Sequence, residues 1–314
     1  MRIVVTGTLG YDTITVHNGR IADRIMPDKI HQISLSFLVD TVSDHFGGTA
    51  GNIAYTLKLL HTDPLIVSVA GYDFDRYAKH LQNVDISREK ITIIKNKRTG
   101  HYHVINDLDN NQIGSFEIGA SSFADTLILP HPKNREENFV VIAPTVPEAM
   151  KKYVDKCRQE KWRYLFDPAF QTGSFSGAEL KKYIDGAEIL VGNDYEIALI
   201  EEKTKWSHQE LIQSTAITIT TLGGKGARIE TKKEAIEIPP AKPKKVVDPT
   251  GAGDCFRAGF LAGYLRGFDL QICGQMGSVA AVYTVEKMGT QTHEFTIDEF
   301  KKRYEENFET PLTL

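Results

Sequence analysis

Cysteine is scarce in this chain. Cys157, Cys255 and Cys273 are the only three in 314 residues, an odd number with no Cys-x-x-Cys pair. Neither a disulfide framework nor a zinc site is implied, and a reducing cytoplasm is the expected setting. Long apolar runs are missing: none approaches the ~20 residues of a membrane-spanning helix, and Met1-Arg2-Ile3-Val4-Val5-Thr6-Gly7 reads as a first strand rather than a signal peptide. Charge of one sign is missing too. The 37 basic and 41 acidic side chains leave a formal charge of −4, which gives no global attraction to nucleic acid. There is no internal repeat and no low-complexity tract. No G-x-x-x-x-G-K-[ST] occurs, so a P-loop nucleotide site is excluded.

The most informative stretch present is Asp248-Pro249-Thr250-Gly251-Ala252-Gly253-Asp254, followed by Cys255-Phe256-Arg257-Ala258-Gly259-Phe260. Small residues at 251–253 let backbone N–H groups approach a ligand, and the amphipathic segment after them supplies a helix N-terminus that favours an anion. Asp254 falls in the first turn of that helix. A carboxylate beside a phosphate is repulsive unless it has a task, such as accepting a proton from an attacking hydroxyl. The stretch therefore reads as a phosphoryl-transfer centre, with an ordinary capped core helix as the bland alternative.

Short β-branched runs at Ile3–Val5, Ile66–Ala70, Phe139–Ile142, Tyr164–Phe166, Ile189–Val191 and Ala216–Thr220 alternate with helical spacing at Ala50–Leu60, Pro147–Lys161 and Ser207–Ser214. This alternation predicts an α/β fold with a doubly wound, mainly parallel sheet flanked by helices. Asp167, Asn193 and the region of Gly223 follow predicted strands, where such sheets bind ligands. Two stretches break the alternation, roughly 13–39 and 91–118, and read as antiparallel ribbons forming a small β lid, with Asp109-Asn110-Asn111 as a hairpin turn. The expected organisation is one domain over residues 1–314 carrying that lid. The Ala241–Lys245 segment reads as a solvated loop without function.

Gly47-Gly48-Thr49-Ala50-Gly51-Asn52-Ile53-Ala54 opens a predicted helix. Alone, that spacing is as readily a packing device as a binding site. Together, however, the G-G-x-x-x-N-x-A run and the 248–254 run resemble the two signatures of the ribokinase-like (PfkB) family of carbohydrate and nucleoside kinases. Asp-Pro-Thr-Gly, in place of the D-T-x-G common in sugar kinases, is the form associated with the nucleoside branch.

The resemblance implies the ribokinase-like fold, ATP and Mg²⁺ as cofactors, Asp254 as general base, and an anion hole at Gly251, Ala252 and Gly253. It places Asp12, Gly48 and Asn52 on the acceptor's sugar. Thr221-Leu222-Gly223-Gly224-Lys225-Gly226 matches the family's T-x-G-x-x-G element, implying that Thr221, Gly223 and Gly226 lie against the donor nucleotide. Asn193-Asp194-Tyr195-Glu196 matches N-x-x-E, which assigns Asn193 to the nucleotide and Glu196 to Mg²⁺ through water; the same pair also suits a helix capping box.

His31–Asp40, Phe46-Gly47-Gly48, Gln112-Ile113 and Ser115-Phe116 are similar to the actinobacterial adenosine kinases, and the similarity extends to Gly289-Thr290-Gln291. In those enzymes two lid aromatics sandwich the purine, at positions matching Tyr102 and Phe116, while Ser36 and Gln171 match groups near the base edge. Departures are Tyr102 for a lid Phe, Thr8 for a Ser by the sugar pocket, and no Arg-containing stretch after Asp167-Pro168-Ala169-Phe170-Gln171. The expectation is an ATP-dependent adenosine kinase, dimeric through a lid rich in Leu35, Phe37, Leu38 and Val39. The alternatives are a sugar kinase, a kinase of another purine nucleoside, and a catalytically idle nucleoside-binding protein.

Overall fold

The computed structural model of the chain describes residues 2–32, 34–109, 111–131 and 138–314. Thirteen strands and nine α-helices are found among them. The strands are β1 (Arg2–Thr6), β2 (Gly10–Val16), β3 (Thr41–Gly47), β4 (Pro64–Gly71), β5 (Ile91–Ile94), β6 (Gly100–Asn106), β7 (Gln112–Glu117), β8 (Asn138–Ile142), β9 (Arg163–Phe166), β10 (Ile189–Asn193), β11 (Ile217–Thr221), β12 (Ala227–Glu230) and β13 (Ala235–Ile238). The helices are α1 (Thr49–Leu59), α2 (Asp75–Asn83), α3 (Pro147–Glu160), α4 (Gly177–Ile184), α5 (Asp194–Thr204), α6 (His208–Gln213), α7 (Ala252–Tyr264), α8 (Leu270–Val285) and α9 (Ile297–Phe308).

The large sheet runs β13-β12-β11-β10-β9-β8-β1-β4-β5. From β11 to β5 every pairing is parallel, and β12 and β13 add an antiparallel edge. Apolar side chains alternate between the two faces, as the two-residue strand period requires. Ile3 and Val5 join the core under α1, α7 and α8, while Val4 joins the one under α3, α4 and α5. All eight positions of β4 are buried. Full burial of a Val, Leu or Ile contributes about 1.5–3 kcal/mol, far more than β-propensity at one position, so two-sided packing is what holds these strands.

The second sheet, β3-β2-β6-β7, is antiparallel at its two outer pairs and parallel between β2 and β6. Its strands differ from the expected ribbons. Ile91–Ile94 is β5, paired with β4 at the edge of the large sheet. β2 finds its partner beyond residue 39, because the intervening chain, with Pro27, forms 3-10 turns at Ala22–Arg24 and Pro27–Gln32 and irregular backbone from 34. Ile33 and Asn110, which figured in the sequence reading, lie outside the described residues. Asp107 ties the end of β6 to the start of β7: its Oδ1 accepts from the N–H groups of Asp109 at 2.9 Å and Asn111 at 2.8 Å. Among the described residues no helix is long and apolar enough to cross a membrane.

Candidate active site

Asp254 lies in the first turn of α7, and that helix begins differently from several others. Ser176, Asn193, Ser207 and Thr296 each close a helix start with a capping box. Gly251, at the N-cap of α7 with φ +78°, brings no side-chain cap; Ala252 N–H closes a turn on Pro249 O at 3.3 Å, and the N–H groups of Gly251 and Gly253 are left for a ligand. The approach to the helix is fixed by buried Asp248, whose two oxygens accept from Thr250 N and Gly289 N, both at 3.0 Å. A Cβ on Gly251 would stand 2.8 Å from Thr290 Cγ2, so neither its φ nor the space admits a side chain.

Burial pushes the pKa of Asp254 up, against the pull of Arg257 and of a hydrogen bond from Asn52. That bond, Asn52 Nδ2 to Asp254 Oδ2 at 2.8 Å, links the starts of α1 and α7. Asn52 is itself held by Gln291 Nε2, which donates to its Oδ1 at 3.0 Å, and the Gln291 Oε1 pairs with His80 Nε2 at 3.0 Å. The carboxylate is thus oriented by a chain of side chains reaching α2.

Asp12, on β2, is 5% exposed, and its carboxyl is pushed up to about 7 by burial, then by the charges of Asp254 and Asp248. Gly47 on β3 makes room for it, since a Cβ there would lie 2.1 Å from Asp12 Oδ2. Tyr102 and Phe116 occupy the same cross-strand row as Asp12 and His45. Their rings lean apart: Tyr102 lies over Gly114 and Phe116 over Gly100. Gln112 Nε2 reaches Thr250 Oγ1 at 3.2 Å, so the small sheet touches the loop leading into α7. Thr8 lies at the start of α1, where its Oγ1 accepts from Thr49 N at 3.2 Å.

Two adjoining hollows meet at Thr221, Gly223 and Gly253. One, a cavity of about 470 Å³, is walled mainly by apolar groups, among them Pro240, Val246, Phe256 and Val282, with Gly226 at its edge. The other, about 340 Å³, is a polar cleft lined by Thr49, Asp167, Asn193, Glu196, Asp254 and Arg257. Asp167, Asn193 and Thr221 stand at the carboxyl ends of β9, β10 and β11, where an open parallel sheet leaves its binding crevice. Asn193 and Glu196 form a capping box as well as lining the cleft: Asn193 Oδ1 accepts from Glu196 N, and Glu196 Oε2 from Asn193 N, both at 2.8 Å.

The structure gathers Asp12, Asn52 and Asp254 on one side, and Asn193, Glu196, Thr221, Gly223 and Gly253 on the other. It treats two expected residues differently. Ser36 is exposed in the irregular stretch after residue 33, and Gln171 accepts from Ser174 Oγ at 3.0 Å while its neighbours Ala169 and Phe170 line the cleft. The 241–245 loop, read as idle, contributes Ala241, Lys242 and Pro243 to the apolar cavity. Sequence reasoning passed over Thr49, Arg257 and Gln291. Thr49 and Arg257 sit inside the quoted motifs, and that proximity was the available signal. Gln291 closes the quoted Gly289-Thr290-Gln291 run, but its role shows only in its contact with Asn52.

An anion-ready helix start, a buried carboxylate beside it and an apolar cavity adjoining the cleft that both of them line define a phosphotransferase with an alcohol group as acceptor. Residues 17–296 match the pfkB family carbohydrate kinase, and the chain belongs to that family. It is 33% identical over 282 residues to a nucleoside kinase of Methanocaldococcus jannaschii, covering 89% of this chain and 92% of that one. A cytidine kinase of Thermococcus kodakarensis is 28% identical over 77% of this chain and 88% of its own length. The structure of Burkholderia thailandensis nucleoside kinase in complex with inosine superposes with a TM-score of 0.91 at 32% identity, covering 98% of this chain and 99% of that one. The ligand-free form of the same protein gives 0.82, over 96% of this chain and 99% of that one.

Proposed function

We propose that the protein is an ATP-dependent adenosine kinase, phosphorylating the ribose 5′-hydroxyl to give AMP and ADP, with its 314 residues working as one catalytic unit. The observation that carries this reading is the 2.8 Å bond between Asn52 and Asp254. It sets a buried carboxylate between a polar grip suited to a sugar and the uncapped start of α7. On this reading Asp12 accepts from vicinal ribose hydroxyls, Gly48 and Asn52 complete the grip, and Thr8 borders it. Tyr102 and Phe116 offer stacking faces to the base, worth about 1–3 kcal/mol per stacked base, and Ser36 and Gln171 are assigned its edge. The likeness to kinases described with inosine and with cytidine supports a nucleoside acceptor. The higher TM-score with the inosine complex accords with the small sheet being drawn down on Thr250.

Asp254 takes the 5′-hydroxyl proton as the oxygen bonds to the γ-phosphorus, and the bond from that phosphorus to the β,γ-bridging oxygen breaks, its electron pair leaving with ADP. Backbone N–H groups of Gly251, Ala252 and Gly253 stabilise charge on the moving group. Thr221, Gly223, Gly226 and Asn193 hold the donor along the strand ends. Among the described residues no cluster of three or more His, Cys, Asp or Glu side chains forms a metal cage. The oxygen groups of Asn193 and Glu196 instead suit Mg²⁺ that keeps its waters and binds phosphate oxygens, where the ion would offset the donor's charge.

The outer face of the small sheet exposes Val42 (64%) and Ile113 (41%), and Leu38 beside it is 83% exposed. We assign this face to a homodimer contact. The test of the function is ATP- and Mg²⁺-dependent turnover of adenosine, inosine, guanosine, cytidine, ribose and fructose, ranked by kcat/KM. Adenosine in first place supports the proposal. Another nucleoside in first place moves the base assignment, a free sugar removes the stacking role, and no turnover points to a binding protein.

A further inference from the structure

The polar cleft carries three carboxylates, those of Asp167, Glu196 and Asp254, and among the described residues that line it Arg257 is the one cation. Arg257 lies on α7 one turn past Gly253 and is 7% exposed. Its guanidinium is held side-on: Nη2 donates to Asp167 Oδ1 at 2.9 Å, and Nε lies 2.5 Å from Asp167 Oδ2 as an ion pair without hydrogen-bond alignment. The third nitrogen, Nη1, turns toward the anion cradle, because a Cβ built on Gly253 would stand 2.7 Å from it. A side chain at 253 would therefore crowd this nitrogen at the start of α7.

We propose that Arg257 is a catalytic residue that donates from Nη1 to the phosphoryl group in transit, with Asp167 as the positioning residue that fixes the guanidinium plane. No bond to Arg257 forms or breaks; it contributes hydrogen bonds and charge only. A pair present for stability alone has little reason to stand here, since buried ion pairs are commonly matched or bettered by apolar packing. A guanidinium presents a flat fork that can grip Asp167 along one edge and a phosphate oxygen from another, which a lysine cannot. The proposal rests on the kinase reading above.

The test compares Asp167→Asn with the double variant Asp167→Asn/Arg257→Gln, which removes both halves of the buried pair while Asp254 keeps its hydrogen bond from Asn52. Steady-state kinetics are measured alongside the affinities for ADP and for a non-hydrolysable ATP analogue. The double variant is expected to lose about 10²–10³-fold in kcat relative to Asp167→Asn, with the nucleoside KM held within about threefold. Affinity for the analogue should fall by about tenfold while that for ADP stays. A double variant that retains the kcat of Asp167→Asn within about threefold overturns the proposal and leaves Arg257 as a mere counter-charge. Should the double variant not fold, Arg257→Lys decides: a kcat loss of about tenfold or more supports the fork, and wild-type kcat overturns it. If the wild-type protein phosphorylates no nucleoside or sugar, the kinase reading fails separately, and the difference between analogue and ADP binding alone decides the role of Arg257.

Discussion

Asn52 and Asp254 are 202 residues apart in the chain and 2.8 Å apart in space, amide nitrogen to carboxylate oxygen. This bond commits Oδ2 of Asp254 and so orients the other oxygen. Replacing Asp254 with Asn should lower kcat by at least ~10²-fold with little change in nucleoside affinity, and Asn52→Leu should lower kcat by about tenfold or more. Calorimetric binding of the nucleoside alongside turnover separates the two effects, and an Asp254→Asn enzyme of normal kcat would remove Asp254 as the base.

Asp12 and Asp167 are both pushed up to about 7, by burial first, and Asp254 is raised in the same direction. In the roles proposed above, sugar binding by Asp12 and proton abstraction by Asp254 need the ionised forms, so kcat/KM should fall on the acid side with an apparent midpoint near pH 7 that belongs to the coupled group. The stability of the ligand-free protein has the opposite slope. The folded carboxyls of Asp12 and Asp167 hold protons that the unfolded ones release, so this contribution should decline as pH rises from about 4 to about 7 and then level off. Urea titrations across that range, with kcat/KM profiles, check both signs; an acid limb below pH 5 would contradict the burial effect.

Gly47 has no side chain because the Asp12 carboxylate fills its place, 2.1 Å from where a Cβ would be. Gly47→Ala should turn Asp12 away and raise the nucleoside KM by about tenfold, leaving kcat at saturation within a few fold. An unchanged KM would separate Asp12 from the sugar.

Gln112 bonds Thr250 across 3.2 Å, between the small sheet and the loop entering α7. Gln112→Leu should loosen closure, raising the nucleoside KM by a few fold and increasing ATP hydrolysis in the absence of acceptor. ADP release with and without nucleoside measures the ratio, and a tightly coupled variant would show that the contact does not hold the lid.

The interior strands and the crossover helices were legible because their signals are local. β4 is apolar but for Ser68, and α1 and α6 begin and end close to their predicted limits. Ile91–Ile94 was misplaced because a four-residue β-branched run says nothing about which sheet it will join, and β4 offered the open edge. The partner of β2 was misplaced because the chain between 17 and 40 keeps β-branched residues without forming strands.

By itself the sequence determined the alternation of buried strands and covering helices, and it marked Gly251, Gly253 and Asp254 as an anion cradle with a carboxylate. Those features depend on side-chain period and on backbone freedom over a few consecutive residues. Only the tertiary structure decided which distant groups surround that carboxylate: Asn52 and Gln291 on one side, and Arg257 on Asp167 on the other. These contacts cross up to 239 residues of chain. They arise because parallel strands deliver their ends to one edge of the sheet and two helix starts converge there, an arrangement set by the packing of the whole core.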